Sequence, residues 1–348
     1  MRKLSFVTWL PLKGLSVLYG AVTRMRNYLY DCGVARSYTS SLPVVSIGNL
    51  TVGGNGKTPL CLYVVHELKA RGYTPVILSR GYGGSNRAPR LVLDADSPDL
   101  VGDEPLLMAQ TSGAPVVVAR SRSAGARLIE RESLGDVIIL DDGFQHRKLA
   151  RELDIISAFA GTEEAVEAFV GGELLPVGRF REDRDAGLRR SSLFVVSFRR
   201  VLAAGEDMPA VNDRLLSLVP SGVTVFRAAY ELSEVRSLGD GSTVPPQGVH
   251  AFAGIANPEG FFDSVAHVGF EVAARHEFPD HHPFSESEVA KLVDGNPGTL
   301  FVCTEKDAVK IRQMSERIRS AFAEFRVRLK VVPADAFMVA IQRSIQHL

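Results

Sequence analysis

The residues best equipped for chemistry stand together in Gly48-Asn49-Leu50-Thr51-Val52-Gly53-Gly54-Asn55-Gly56-Lys57-Thr58-Pro59, directly after an apolar run at residues 43–47. A strand, a glycine-rich loop and a helix start in succession form the layout of a phosphate cradle. Glycines let successive amide N–H groups face one point, the Lys supplies a mobile cation, and the Thr hydroxyl reaches a metal. The chemistry invited is that of a nucleoside triphosphate. The usual spacing G-x-x-x-x-G-K-[ST] would put its first glycine at position 51, which is Thr51 here, and glycines stand instead at 48, 53, 54 and 56. In this reading Gly53 and Gly54 take over the backbone freedom. A plain glycine-rich turn with an incidental lysine is the alternative, and Gly56-Lys57-Thr58 after an apolar strand argues against it.

Acids come next. The apolar run at residues 137–140 ends in Asp141-Asp142-Gly143-Phe144-Gln145-His146. In a parallel sheet the carboxyl ends of the strands share an edge with the phosphate loop, so Asp141 or Asp142 is placed to hold Mg²⁺ opposite the β- and γ-phosphates, although Asp-Asp-Gly alone is also an ordinary turn. Gly102-Asp103-Glu104-Pro105 sets two carboxylates at a helix start. Asp103 there is either a cap or the acceptor of a hydroxyl proton. Asp280-His281-His282-Pro283-Phe284 offers imidazoles without enough neighbouring ligands for a metal site, and an imidazole that orients a carboxylate across a cleft is the better-motivated use. Thr304-Glu305-Lys306-Asp307 superficially matches a guanine-reading motif but has Glu305 where that motif needs Lys. The charged run at residues 179–190 reads either as solvated surface or as partial anion contact.

These groups need elements to hold them. Residues 43–47, 75–79, 91–93, 115–119, 136–140, 154–159 and 193–197 read as strands, with helices over 60–71, 104–110 and 123–132. The alternation βαβ implies a doubly wound parallel sheet. A strand at 223–230 leads into a polar stretch with Gly239-Asp240-Gly241 and Pro245-Pro246, and βα logic resumes with strands at 249–252 and 299–303 and helices at 259–268, 285–293 and 308–319. The expected fold is α/β: a P-loop NTPase-like doubly wound parallel sheet with a second, smaller α/β domain. The expected division is an N-terminal segment 1–30, a nucleotide-binding kinase domain 31–222, a connection 223–247 and a C-terminal domain 248–348.

The N-terminal segment is apolar and basic together, with Trp9, Leu10, Leu15, Leu18 and Tyr19 beside Lys3, Lys13, Arg24 and Arg26. Pro11 and Lys13 break the run well short of the about 20 apolar residues that a membrane span needs. It reads as a helix lying in a membrane interface, with a helix packed on the protein's own core as the alternative. The chain's 348 residues carry 40 basic and 40 acidic side chains, which gives no reason to expect nucleic acid. Cys32, Cys61 and Cys303 are scattered and suit reduced thiols in a cytoplasmic setting.

Taken in order, the glycine loop, Ser79-Arg80-Gly81-Tyr82-Gly83-Gly84, Gly102-Asp103-Glu104-Pro105, Asp141-Asp142-Gly143-Phe144-Gln145-His146, Leu174-Leu175-Pro176-Val177-Gly178-Arg179-Phe180-Arg181-Glu182, Asp280-His281 and Thr304-Glu305-Lys306-Asp307 resemble the tetraacyldisaccharide 4′-kinase family of lipid A biosynthesis. The resemblance runs to about Ala336, and the odd loop spacing is the family's own. It implies transfer of the ATP γ-phosphate, with Mg²⁺, to the 4′-hydroxyl of a tetraacyldisaccharide 1-phosphate at the cytoplasmic face of the inner membrane. The protein would be peripheral there, with a membrane-held glycolipid as substrate and no obligate protein partner. It implies Asp103 as base with His281 as its partner, and Gly53, Gly54, Asn55, Gly56, Lys57 and Thr58 around the phosphates. Thr58, Asp141 and Glu104 would stand on the metal side. Arg120, Arg122 and Arg181 would meet the substrate's anionic groups, and Asp142 and His146 would order the loop beside the metal. A nucleotide switch acting on a protein partner, or a lipid-binding scaffold with a vestigial nucleotide site, are the readings from other classes.

Overall fold

A computed structural model describes residues 6–346 except 54, 55, 203, 204, 256 and 281, and leaves the side chains of residues 6–9, 199 and 200 outside the description. Its strands are β1 (Val44–Gly48), β2 (Pro75–Ser79), β3 (Arg90–Leu91), β4 (Val116–Val118), β5 (Val137–Asp141), β6 (Leu153–Phe159), β7 (Leu193–Leu202), β8 (Thr224–Ser237), β9 (Gly248–Ala253), β10 (Glu271–Glu277), β11 (Phe301–Thr304) and β12 (Phe322–Val332). All twelve form one sheet in the order β10-β9-β11-β12-β8-β7-β6-β1-β5-β2-β4-β3.

β1 runs parallel to both neighbours, β5 and β6, and all five of its residues are buried. A strand covered on both faces has to be apolar throughout, and Val44-Val45-Ser46-Ile47-Gly48 nearly is. Val45 and Ile47 pack with Leu60, Val64 and Leu68 of the helix Lys57–Ala70. Val44 faces the other way, into a cluster with Ile129 of the helix Arg122–Arg131. The sheet is therefore wound with helices on both faces, which brings the loops after β1, β2 and β5 to one edge.

The second half repeats this on β9, β11 and β12, which are parallel among themselves. Phe252, Phe284, Phe301 and Phe322 pack on one face, and Val249, Ala251 and Phe262 on the other. The stretch expected as a connection, residues 223–247, is strand for more than half its length. β8 pairs in parallel with β7 and antiparallel with β12, from Ala323 opposite Ser237 to Val332 opposite Arg227.

Local differences from the expected elements have physical causes. The helix expected over 308–319 is two, Glu305–Ile311 and Glu316–Arg319: Thr304 caps the first through Asp307 N–H, which starts it earlier, and Ser315 leaves the helical conformation with ψ 154° before the second begins. β10 was not expected: its alternating half-buried and exposed residues form the sheet's edge and carry few apolar side chains. β12 was not expected either, although apolar and charged residues alternate along Phe325-Arg326-Val327-Arg328-Leu329-Lys330. The helix Phe6–Asp31 continues through Pro11, and no described helix is long and apolar enough to cross a membrane.

Candidate active site

The loop after β1 is braced from the side before it turns. Val52 donates its N–H to the Arg179 carbonyl at 2.8 Å, and Arg181 donates to the Leu50 carbonyl at 2.8 Å, so residues 50–52 and 179–181 run as a short ladder. Gly56 then starts the helix Lys57–Ala70 with φ 73°, a left-handed conformation that favours glycine. A Cβ there would also stand 2.9 Å from Ser197 Oγ, so the dihedral calls for a glycine and the space around it is tight. Lys57 and Thr58 follow in the helix's first turn, where amide N–H groups lack partners within the helix and the helix dipole is positive.

The β1–β5 register sets Ile47 opposite Asp141, which carries the Asp141-Asp142 pair to the foot of the loop. Asp141 is buried, takes a hydrogen bond from Ser79 Oγ at 2.9 Å on Oδ2, and has no partner for Oδ1. Burial, with the carboxylates of Glu104 and Asp142 nearby, pushes its carboxyl up to about 6. Asp142 has φ 47°, and its two oxygens each lie 3.0 Å from Arg181 Nη1, with Lys57 Nζ at 3.8 Å from Oδ1. Burial raises its carboxyl, but Lys57 and Arg181 outweigh that and hold it below the usual range. Two adjacent acids thus differ in character: one is already neutralised by protein cations, the other is not.

Gln145 and Glu182 hold this arrangement from below. Gln145 Nε2 donates to the Asn49 carbonyl at 2.8 Å and to Glu182 Oε1 at 3.0 Å. Glu182 is fully buried and takes Arg190 Nη1 on Oε2 at 2.9 Å, while Arg190 also lies over the Phe144 ring. Burial acts to raise the Glu182 carboxyl, and hydrogen bonds from Arg190, Gln145 and Asn27 prevail and lower it.

A cleft of about 2080 Å³ opens over the loop and is walled by both halves of the sheet. Gly53, Gly56, Lys57, Thr58, Glu104, Asp141, Asp142, Arg120, Arg122, His146 and Arg181 all border it, whereas Asp103, the expected base, is not among the residues that line it. Arg122 is nearly fully buried and donates to the Ala119 carbonyl at 2.8 Å; burial lowers its guanidinium to about 10, which leaves it charged at neutral pH. Burial, with Arg122 and Arg80 beside it, brings the His146 imidazole down to about 4 and keeps it neutral. Asp103 starts the helix Asp103–Ser112, and its Oδ2 lies 3.0 Å from Nζ of Lys310 in the second half. The expected Gly54, Asn55 and His281 fall outside the described residues.

From the second half Asp280, Thr304, Glu305 and Lys306 border the same cleft. Burial and the Glu324 carboxylate push Glu305 up to about 7. Lys310, Gln145 and Glu182 carry no individual signal of such a role in the sequence. Gln145 and Glu182 lie inside conspicuous motifs, whereas Lys310 had only its place on the helix following Thr304 as a signal.

A family model described as tetraacyldisaccharide-1-P 4′-kinase matches residues 8–346. The chain belongs to that family. Similar curated proteins named tetraacyldisaccharide 4′-kinase include one from Chlorobaculum parvum, 37% identical over 326 residues, with 89% of this chain and 87% of that protein covered. Another, from Haemophilus influenzae, is 34% identical over 345 residues, covering 99% of this chain and 93% of its own. Among solved structures, "apo" form LpxK from Aquifex aeolicus in complex with ATP is similar with a TM-score of 0.76 and 28% identity, covering 96% of this chain and 98% of that one. For a member of the tetraacyldisaccharide-1-P 4′-kinase family, the loop spacing around Thr51 is no obstacle to a phosphate cradle: Thr51 is used structurally, in a bridge to Phe180.

Proposed function

We propose that this chain transfers the γ-phosphate of ATP to the 4′-hydroxyl of a tetraacyldisaccharide 1-phosphate in lipopolysaccharide biosynthesis. The observation that carries the reading is the shared cleft. A lysine and threonine at a helix N-terminus face acids at the end of the neighbouring strand, and next to the lining residue Glu104 a further carboxylate, Asp103, meets Lys310 of the second half. On this reading residues 31–222 bind the nucleotide and 248–348 close over it. Phosphoryl transfer asks mainly for positioning and charge stabilisation. Lys57 and the loop amides around Gly53 and Gly56 would hold the phosphates, with Arg181 and Asp142 fixing the Lys57 side. Arg120 and Arg122 would meet further anionic groups, His146 would help to order the loop, and Asp103 would accept the hydroxyl proton, with His281 as its partner.

The acids suit Mg²⁺. Asp141 Oδ1 is buried without a hydrogen-bond partner, and its carboxyl is pushed up by burial and by the charges of Glu104 and Asp142, all of which a divalent cation would relieve. Among the described residues no three His, Cys, Asp or Glu side chains cluster as a ready-made cage. That also fits Mg²⁺, which is commonly bound by one or two carboxylates and completes its shell with water and phosphate oxygens. Asp141, Glu104 and Thr58 would hold the ion, which would neutralise charge on the phosphates.

The N-terminal helix supports delivery to a membrane-held substrate. Ser16, Thr23 and Asn27 are buried against the protein, and Gly20 lies where a Cβ would meet Leu174, so the inward face is small and polar. Leu10, Leu15, Val17, Leu18, Val22 and Met25 are exposed on the outside. A helix with its polarity turned inside out suits a membrane interface, here the cytoplasmic face of the inner membrane.

The test is a thin-layer assay of labelled phosphate moving from ATP to the glycolipid or to water. Transfer to the lipid, depressed strongly by Asp103→Ala with lipid binding retained, is the expected result. Label appearing only as inorganic phosphate, or an Asp103→Ala variant with near-normal turnover at saturating substrate, contradicts the reading or its assignment of the base.

A further inference from the structure

Asp103 is held by a cation from the other half of the molecule. Lys310 Nζ lies 3.0 Å from Asp103 Oδ2, and each of the two side chains is only 11% exposed. The same ammonium donates to the His282 carbonyl at 3.0 Å and lies 5.5 Å from the centre of the Phe284 ring. Three directions of approach are thus fixed around one nitrogen, with little room for the lysine to wander.

Its support is equally constrained. Lys310 sits on the helix Glu305–Ile311, where Ala308, Val309 and Ile311 are buried. Thr304 Oγ1 donates to Asp307 Oδ2 at 2.7 Å and accepts from Asp307 N–H at 3.2 Å, and Asp307 Oδ2 also takes the Gly254 N–H at 3.0 Å. The helix start is therefore locked to the loop after β9. A short helix pinned at its start and packed on one side presents its lysine as part of a rigid frame.

We propose that Lys310 is a positioning residue for the phosphoryl transfer: it holds Oδ2 of the Asp103 carboxylate and ties it to the His282 carbonyl. The inference rests on the reading of Asp103 as the base. A base must meet the hydroxyl at hydrogen-bond distance in the correct orientation, and misplacement by about 1 Å can cost about 10²-fold. Lysine is suited to the task because one ammonium serves a carboxylate and a carbonyl at once. Glu104, next to Asp103, and Lys306, one helical turn from Lys310, border the cleft, and the Lys310–Asp103 pair itself joins the two halves beside it.

The experiment compares purified full-length Lys310→Met, Lys310→Arg, Asp103→Asn and the Lys310→Met/Asp103→Asn double variant on detergent-dispersed glycolipid, with calorimetric binding of ATP as a check that each is folded. Lys310→Met is expected to lower kcat by about 10²-fold while KM for ATP and calorimetric affinity stay near the unmodified values. Lys310→Arg should recover much of the loss. In the Asp103→Asn background the Lys310 change should add little, since residues acting as a unit are non-additive. An inactive Asp103→Asn beside a Lys310→Met with normal kcat overturns the inference alone. A raised KM for ATP with unchanged kcat also overturns it, because the ammonium would then serve the nucleotide. Near-normal turnover of Asp103→Asn overturns the base reading and the inference with it. If Lys310→Met fails to bind ATP, Lys310→Arg decides: normal ATP affinity with a kcat between those of the unmodified protein and Asp103→Asn supports the inference, and unchanged kcat/KM for the glycolipid in a Lys310→Gln variant overturns it.

Discussion

Asn27 of the N-terminal helix donates through Nδ2 to Oε2 of Glu182 at 2.8 Å, and Glu182 in turn receives Gln145, whose amide also holds the Asn49 carbonyl at the start of the phosphate loop. Tyr19 reinforces the link through a 2.7 Å hydrogen bond to the Arg181 carbonyl. A helix with an apolar outer face is therefore fastened by its polar inner face to the segment that braces the loop.

Removing the Glu182 carboxylate should be costly. Glu182→Ala leaves the Arg190 guanidinium without its carboxylate in a mostly buried site, at about 3–5 kcal/mol, whereas Asn27→Ala removes one hydrogen bond to a charged acceptor at about 1.5–3 kcal/mol. Urea unfolding in detergent measures both. Equal effects from the two variants would mean that Arg190 finds another partner.

The outer face of the same helix should govern membrane binding without governing chemistry. Replacing Leu15, Leu18 and Val22 together with Ser is expected to reduce co-sedimentation with anionic vesicles, since each large apolar side chain contributes about 1.5–3 kcal/mol when fully buried. Turnover on detergent-dispersed glycolipid should change less than twofold. Undiminished vesicle binding by the triple variant would show that the helix is not the docking surface.

Glu305 makes the stability depend on pH. Its folded pKa of about 7 lies above the ordinary 4.5, so the folded state holds a proton that the unfolded chain has released between those values. Stability from this group is therefore full below pH 4.5 and is lost as pH rises through 7. Glu305→Gln, which keeps the acceptor for the Val327 N–H, should be more stable than the parent by about 2–3 kcal/mol at pH 8 and no different near pH 4. Chemical unfolding at the two pH values checks this, and a gain of equal size at both would assign the effect to packing.

The parts of the site built from neighbours along the chain were legible beforehand. Gly56-Lys57-Thr58 after an apolar strand, and Asp141-Asp142 after another, announce themselves because backbone turns and strand ends are local properties. The alternation along Phe325-Arg326-Val327-Arg328-Leu329-Lys330 is equally local, but its strand partner lies about 90 residues away. It carries the antiparallel pairing of β12 with β8 that makes one sheet of both halves.

What the amino-acid order by itself determined was the kind of chemistry: a phosphate cradle, acids beside it and an apolar, basic N-terminus. Only the tertiary structure decided which acid is already neutralised, since Arg181 reaches Asp142 and leaves Asp141 Oδ1 without a partner. It also decided that the N-terminal helix turns its small polar residues inward, and that Lys310 meets Asp103 across the two halves. Such approaches depend on the order and twist of the strands between distant residues. No spacing within a single segment encodes them.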